Sequence, residues 1–375
     1  MDWSPPTRTI TIPQAEFDRI KHLPLRLTGD AVGIGEHLLS MRDTIACGSL
    51  APVPIEAVVR VALRYHRLTQ LGRTPQLGAL LFDAAGDPRF LSQYFPLAAT
   101  MPEAQRADFF ALVGQIASNP HLQIRLIGED RRDYSADLAL SARWIAGGYM
   151  AEALWGRRDL LRRLLARPRI IHLYTSEIAL DRFGGSAAGS TSRGGSIDLP
   201  LAALYTGFYT EMPGVAPFLA SLGRMLDQCD GRTGENCVPS GTPLGMNRQD
   251  GPLRNARARE LFLSGKRLEK ARYERFRTGS ARLGAPMPVG EPRLFANDGE
   301  FLAGYFELFF RTPHYLAAQN ETLFDAFSLW LRQDPRRHWR RDCAFYVDQS
   351  RATYTAPLNL PPCGLRVPPA WWPFA

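Results

Sequence analysis

At 375 residues, 45% of them apolar and 22% charged, the chain can bury a large core and exceeds the roughly 100–200 residues of a single domain. Its start, Met1-Asp2-Trp3-Ser4-Pro5-Pro6, has no basic stretch followed by an apolar run, and no uncharged apolar segment approaches the roughly 20 residues of a membrane span, so a soluble, cytoplasmic protein is expected. Five cysteines without Cys-x-x-Cys spacing argue against a disulfide framework or a zinc knuckle, and a net charge of +8, mostly arginine, suits phosphate or carboxylate partners without requiring nucleic acid.

The first half reads as helix after helix, with apolar residues at three-and-four spacing over Ile55–Leu71 and Arg106–Ile116. Ser135–Leu165 carries the longest such pattern, with Leu138, Leu140, Trp144, Ile145, Tyr149 and Leu154 apolar and arginines towards its end, where cations complement the helix dipole. Pro168 closes it. Beyond that proline, Ile170, Ile171, Leu173 and Tyr174 predict a strand and Ser196–Leu199 another, joined by the Gly/Ser-rich loop Gly184–Gly195. That loop lacks a Gly-Lys-Ser/Thr ending and a G-x-G-x-x-G before a helix, so it is read as a flexible hairpin connection rather than a phosphate cradle.

Val215–Asp227 sets Phe218, Leu219, Leu222, Met225 and Leu226 on one stripe, with Pro217 in the first turn, where a missing amide costs little. Asn255–Arg277 predicts an amphipathic helix with Leu261, Phe262, Leu268 and Phe276 near the core and Arg257, Arg259, Lys266, Arg267, Lys270, Arg272, Arg275 and Arg277 largely outside. Glu300–Arg311 is the densest apolar helix, interrupted by Glu300 and Glu307 alone among acidic residues. The run Arg336-Arg337-His338-Trp339-Arg340-Arg341 combines four guanidiniums with an indole able to stack on a base, and is read first as a surface turn after the last helix. The Pro- and Trp-rich end, Pro361 to Phe374, is apolar enough to prefer contact over solvent.

Asn297-Asp298-Gly299-Glu300-Phe301-Leu302-Ala303, followed by Glu307-Leu308-Phe309-Phe310, resembles a helix of the Mlc titration factor A family of zinc peptidases, whose pattern is Asn-Pro-Ala-Glu-Phe-Phe-Ala and then Glu-x-Phe-Phe. Arg332-Gln333-Asp334-Pro335 is similar to that family's Arg-Gln-Asp-Pro, and Phe218–Gly231 to its helix His-Glu-Phe-Ala-His-x-Leu-Asp, closely followed by Asp-Gly. The resemblance runs from about Pro168 to Pro335 and does not reach the first half. It places Ala220 at the first histidine ligand, Ser221 at the general-base glutamate and Arg224 at the second histidine, with Leu222 and Gly223 between. Glu300 alone is retained, as the third ligand, and the family's tyrosine falls on Arg293.

A His-Glu-x-x-His helix works because residues four apart share a face, so two imidazoles meet one ion while the glutamate reaches its bound water. Ala220 has no lone pair to give, and Arg224 is a permanent cation. The seven histidines are scattered, with none paired at helical spacing, and of them His172 is the one to watch. Two roles stand open for Glu300. In one, Arg224 takes the vacated metal position and neutralises it; in the other, Asn297-x-x-Glu300 is a capping box.

The expectation is therefore an α+β, mostly helical protein: an amino-terminal helical part over 1–167, then a zincin-like metallopeptidase domain over 168–375 with a Pro/Trp-rich tail. The resemblance implies a catalytically inactive peptidase relative with no cofactor, binding a protein or peptide in a cleft that includes Arg224, Asp227, Glu300 and Glu307. Family members are zinc peptidases, and at least one also binds a transcriptional repressor. The alternatives are an active zinc peptidase gathering metal through residues such as His172, Glu211 and Glu300, and a nucleic-acid-associated module using Arg336, Arg337, Trp339, Arg340 and Arg341. No membrane contact is expected.

Overall fold

The computed structural model describes residues 95–135, 140–183, 196–205, 214–229, 241–280 and 285–355. The expected helix over Ile55–Leu71, the Gly184–Gly195 loop, Glu211 and the Pro/Trp-rich tail lie outside them.

The chain runs α1 (Pro96–Thr100), α2 (Glu103–Ala117), β1 (Leu122–Ile127), α3 (Leu140–Leu154), α4 (Arg158–Leu164), β2 (Arg169–Tyr174), α5 (Glu177–Phe183), β3 (Ser196–Pro200) and α6 (Leu201–Tyr205). It continues through α7 (Pro217–Gln228), α8 (Ala256–Arg277), α9 (Asp298–Arg311), α10 (Pro313–Gln319), α11 (Glu321–Leu331) and α12 (Ala344–Thr355). Among the described residues the fold is mostly helical with one small three-stranded sheet of order β1-β2-β3, parallel throughout. Among the described residues no helix is long and apolar enough to cross a membrane.

Two sequence expectations are corrected here. The segment Leu122–Ile127, read within a helical half, is a strand whose residues alternate between buried and exposed, because its leucines and isoleucines recur every second residue. The connection from β2 to β3 is no hairpin: the strands are parallel, and parallel neighbours need a crossover, part of which is α5. The strands before and after residue 167 pair with each other, and one apolar cluster extends from Phe95 to Tyr346.

The long helical pattern of Ser135–Leu165 is divided into α3, a 3-10 turn at Trp155–Arg157 and α4. Gly156 marks the break, since a Cβ there would lie 2.4 Å from the Leu331 carbonyl oxygen. Arg157, 1% exposed, reaches across the same junction to donate to the Trp330 carbonyl at 2.7 Å and to Asp159 at 2.8 Å.

The core is an aromatic stack. Phe301 lies on Tyr305 with ring centroids 4.2 Å apart, Phe309 on Phe327 at 5.4 Å, and Phe306 packs against Trp330 at 5.6 Å. These rings join α9 to α11, while α8 crosses α11 closely enough that a Cβ on Gly265 would meet the Leu323 backbone nitrogen at 2.8 Å. The amphipathic reading of α8 needs revision at three places. Lys266 and Arg272 are buried rather than outside, paired with Asp298 at 2.9 Å and Glu269 at 2.7 Å, whereas Leu268 is 39% exposed.

Candidate functional site

Helices α7 and α9 pack directly on each other. Gly223 permits it: a Cβ at that position would stand 3.2 Å from the Ala303 Cα and 3.1 Å from the Phe306 Cβ. The close approach brings the residues flanking Gly223 against the amino-terminal turn of α9, which begins after Asn297.

Arg224 and Glu300 meet there. The guanidinium donates from Nε to Glu300 Oε1 at 3.0 Å and from Nη2 to Oε2 at 2.7 Å, the two-pronged geometry that suits a planar cation and a carboxylate. The arginine side chain is 9% exposed and the glutamate side chain 23%. Burial pulls the Glu300 carboxyl upward, and the hydrogen bonds and charge of Arg224, helped by Arg293, outweigh it and hold the group below the usual glutamate value.

The capping box is only half formed, since the cap belongs to Asn297 and the Glu300 side chain does not return to it. Asn297 Oδ1 accepts the Glu300 amide at 2.8 Å, which caps α9, while both carboxylate oxygens turn to Arg224.

Glu307 lies seven residues along α9, on the same face as Glu300 but in the interior. Burial raises its carboxyl to about 7 against the opposing pull of the Tyr346 hydroxyl and of Arg293, Arg224 and Arg311. Tyr346 of α12 donates to Glu307 Oε1 while its own oxygen accepts the Ala216 amide at 2.9 Å, so one phenol links the start of α7, the middle of α9 and α12. Nothing in the spacing of the sequence announces Tyr346 as a partner, because α12 has only a weak apolar periodicity and its contact is made across 39 positions.

Asp227 has a structural task. It accepts the amides of Gly241 and Thr242, each at 2.9 Å, and so fixes the returning chain beside α9. Gly241 holds a positive φ of 65°, and a Cβ on it would collide with Asp298 at 2.5 Å. Asp298 in turn binds Lys266 at 2.9 Å and Lys270 at 2.6 Å. Ser221 is 1% exposed, and its hydroxyl has no hydrogen-bond partner among the described residues.

These residues do not fit a catalytic zinc. Ala220 offers no donor atom, the Arg224 guanidinium covers both oxygens of Glu300, and among the described residues no three His, Cys, Asp or Glu side chains are grouped as a metal ion requires. His172 lies on β2, with its Nδ1 2.8 Å from Asp198 Oδ1 of β3. Strand parity and register put these two side by side on the face away from the core, and the Tyr174 hydroxyl approaches the same carboxylate at 3.3 Å.

The basic run is a surface turn with exposed arginines, but it precedes α12 rather than following the last helix. Arg336 pairs with Asp334 at 2.8 Å, and Trp339 is 7% exposed beneath the Arg311 guanidinium, whose carbon is 5.2 Å from the ring centroid. Its indole face is committed to the protein, while Arg337, Arg340 and Arg341 are exposed.

Arg332-Gln333-Asp334-Pro335 ends α11 and docks it. Gln333 donates to the carbonyls of Glu152 at 3.1 Å and Ala153 at 2.8 Å, Asp334 accepts the Arg336 amide at 3.1 Å, and Pro335 opens a 3-10 turn. Compared with family models, with curated proteins and with solved structures, the chain matches none.

Proposed function

We propose that this chain is a catalytically inactive relative of the zinc peptidases, zincin-like in its second part, that binds a protein or peptide beside the α7–α9 pair. One observation carries the reading: Arg224 forms two hydrogen bonds to Glu300 at the place where the resemblance sets the metal and its third ligand. A guanidinium supplies positive charge to that carboxylate but cannot acidify a water molecule as a dication does, so the pair preserves the electrostatics of a metal site without its chemistry. The nucleic-acid reading is weaker, since the indole it needs for stacking is buried.

The experiment is to rebuild the donor set. Ala220→His, Ser221→Glu and Arg224→His together should create a site for one zinc per chain, lost again on Glu300→Ala, when metal content is measured on the purified full chain. A folded triple variant that takes up no more zinc than the parent removes the peptidase-like placement of α7 and α9.

A further inference from the structure

The carboxyl end of α11 borders a groove of about 460 Å³ lined by Asp325, Leu329, Arg332, Gln333, Asp334 and Arg337 among others. Its volume falls within the roughly 300–1,000 Å³ of small-molecule sites. Gln333 and Asp334 are occupied in holding the turn together. Arg332 and Arg337 are not: among the described residues, neither side chain has a hydrogen-bond or ion-pair partner.

Arg332 is unusual in its backbone too. It ends α11 in the left-handed conformation, with φ 54° and ψ 41°, where glycine is the residue without a steric penalty. The turn itself is imposed from outside, because Arg157 holds the Trp330 carbonyl at 2.7 Å, Asn255 holds that of Leu329 at 3.0 Å and Gln333 is anchored on α3. A left-handed residue is thus required at this point, yet the position carries a long cation whose guanidinium has no internal task. Packing accounts for the left-handed backbone but not for the choice of arginine there, and strained positions cluster at functional sites.

We propose that this groove binds a small oxyanion, a phosphate or carboxylate borne on a compact apolar body, held between the guanidiniums of Arg332 and Arg337. Two planar cationic forks give parallel hydrogen bonds to such a group. Leu329, 42% exposed, supplies the apolar wall.

The test is titration of the full chain with inorganic phosphate, phenyl phosphate and benzoate, followed by calorimetry and NMR. Saturable binding of an aryl anion, tighter than that of inorganic phosphate, is expected, and the stronger of the two aryl probes identifies the oxyanion. Arg332→Gly and Arg337→Gln should each weaken it about tenfold or more. Arg332→Gly should at the same time raise the melting temperature, because glycine relieves the backbone. No saturable binding by any probe, or unchanged binding in both variants, overturns the proposal. So does a lower melting temperature for Arg332→Gly, which would give that side chain a structural task.

Discussion

Tyr346 donates its hydroxyl proton to Glu307 in the interior of the α7–α9–α12 junction, where burial raises the carboxyl to about 7 from an ordinary 4.5. A carboxyl that holds its proton more tightly in the folded chain contributes stability below the unfolded value and loses it as the pH climbs through the folded one. The rise corresponds to roughly 3 kcal/mol at most. Glu307→Gln removes this dependence, so between about pH 5 and about pH 8 the variant should gain on the parent by up to about 3 kcal/mol in urea denaturation. Parallel pH profiles for the two proteins would refute the assignment.

Arg224 and Glu300 should be unequal when removed singly. Glu300→Ala leaves a buried guanidinium without this partner and is expected to cost about 2–4 kcal/mol, whereas Arg224→Met leaves a carboxylate that is 23% exposed and can recruit water, at about 1–2 kcal/mol. The double variant Arg224→Met with Glu300→Leu should lie closer to the parent than the sum of the two single changes, as a double-mutant cycle reads directly. Strict additivity would mean that the pair is not coupled.

Glu269 is fully buried and accepts from Arg272 at 2.7 Å, Asn320 at 2.9 Å, the Val289 amide at 2.8 Å and the Tyr305 hydroxyl at 3.0 Å. It joins α8 and α9 to the start of α11 and to the segment before α9. Glu269→Ala removes the acceptor shared by four donors, one of them the Arg272 cation, and a loss of about 3–5 kcal/mol is expected. Glu269→Gln keeps the shape and most acceptors and should lose less. A loss below about 1 kcal/mol for the alanine variant, measured by denaturant titration, would contradict this account.

What the sequence made readable was periodic. The apolar stripes of α7, α8 and α9 place those helices within a few residues of where they lie, and Asn297 and Asn255 mark two of their starts with side-chain caps. The pairing of Arg224 with Glu300 is expected from the resemblance of the two helical motifs, and the two side chains do meet. Parallel pairing was not readable, since a Gly/Ser loop between short apolar runs carries no information about strand direction. Buried cations escape a periodic reading for a similar reason: the partner of Lys266, Asp298, lies on another helix, and that of Arg272, Glu269, is itself buried. The partnership of His172 with Asp198 follows from a parallel register of strands 26 residues apart, which no local pattern specifies.

Two glycines separate helix propensity from close packing. Replacing either Gly223 or Gly265 by alanine gains about 1 kcal/mol of helix propensity. At Gly223 the new methyl group would find its nearest atoms at 3.1 and 3.2 Å, a compression of a few tenths of an ångström that α7 and α9 can relieve, so Gly223→Ala should be within about 1 kcal/mol of the parent. At Gly265 it would meet the Leu323 Cβ at 2.6 Å and backbone atoms at 2.8 Å, contacts that cannot be relieved without moving α8 off α11. The Asn320 side-chain amide, bonded to the Gly265 carbonyl at 3.0 Å and to Glu269 at 2.9 Å, would be pulled away in that movement. Overpacking and the lost hydrogen bonds together outweigh the propensity, and Gly265→Ala should cost about 2–4 kcal/mol in thermal or urea unfolding. Equal stability for the two alanine variants would show that the α8–α11 contact is looser than its geometry requires.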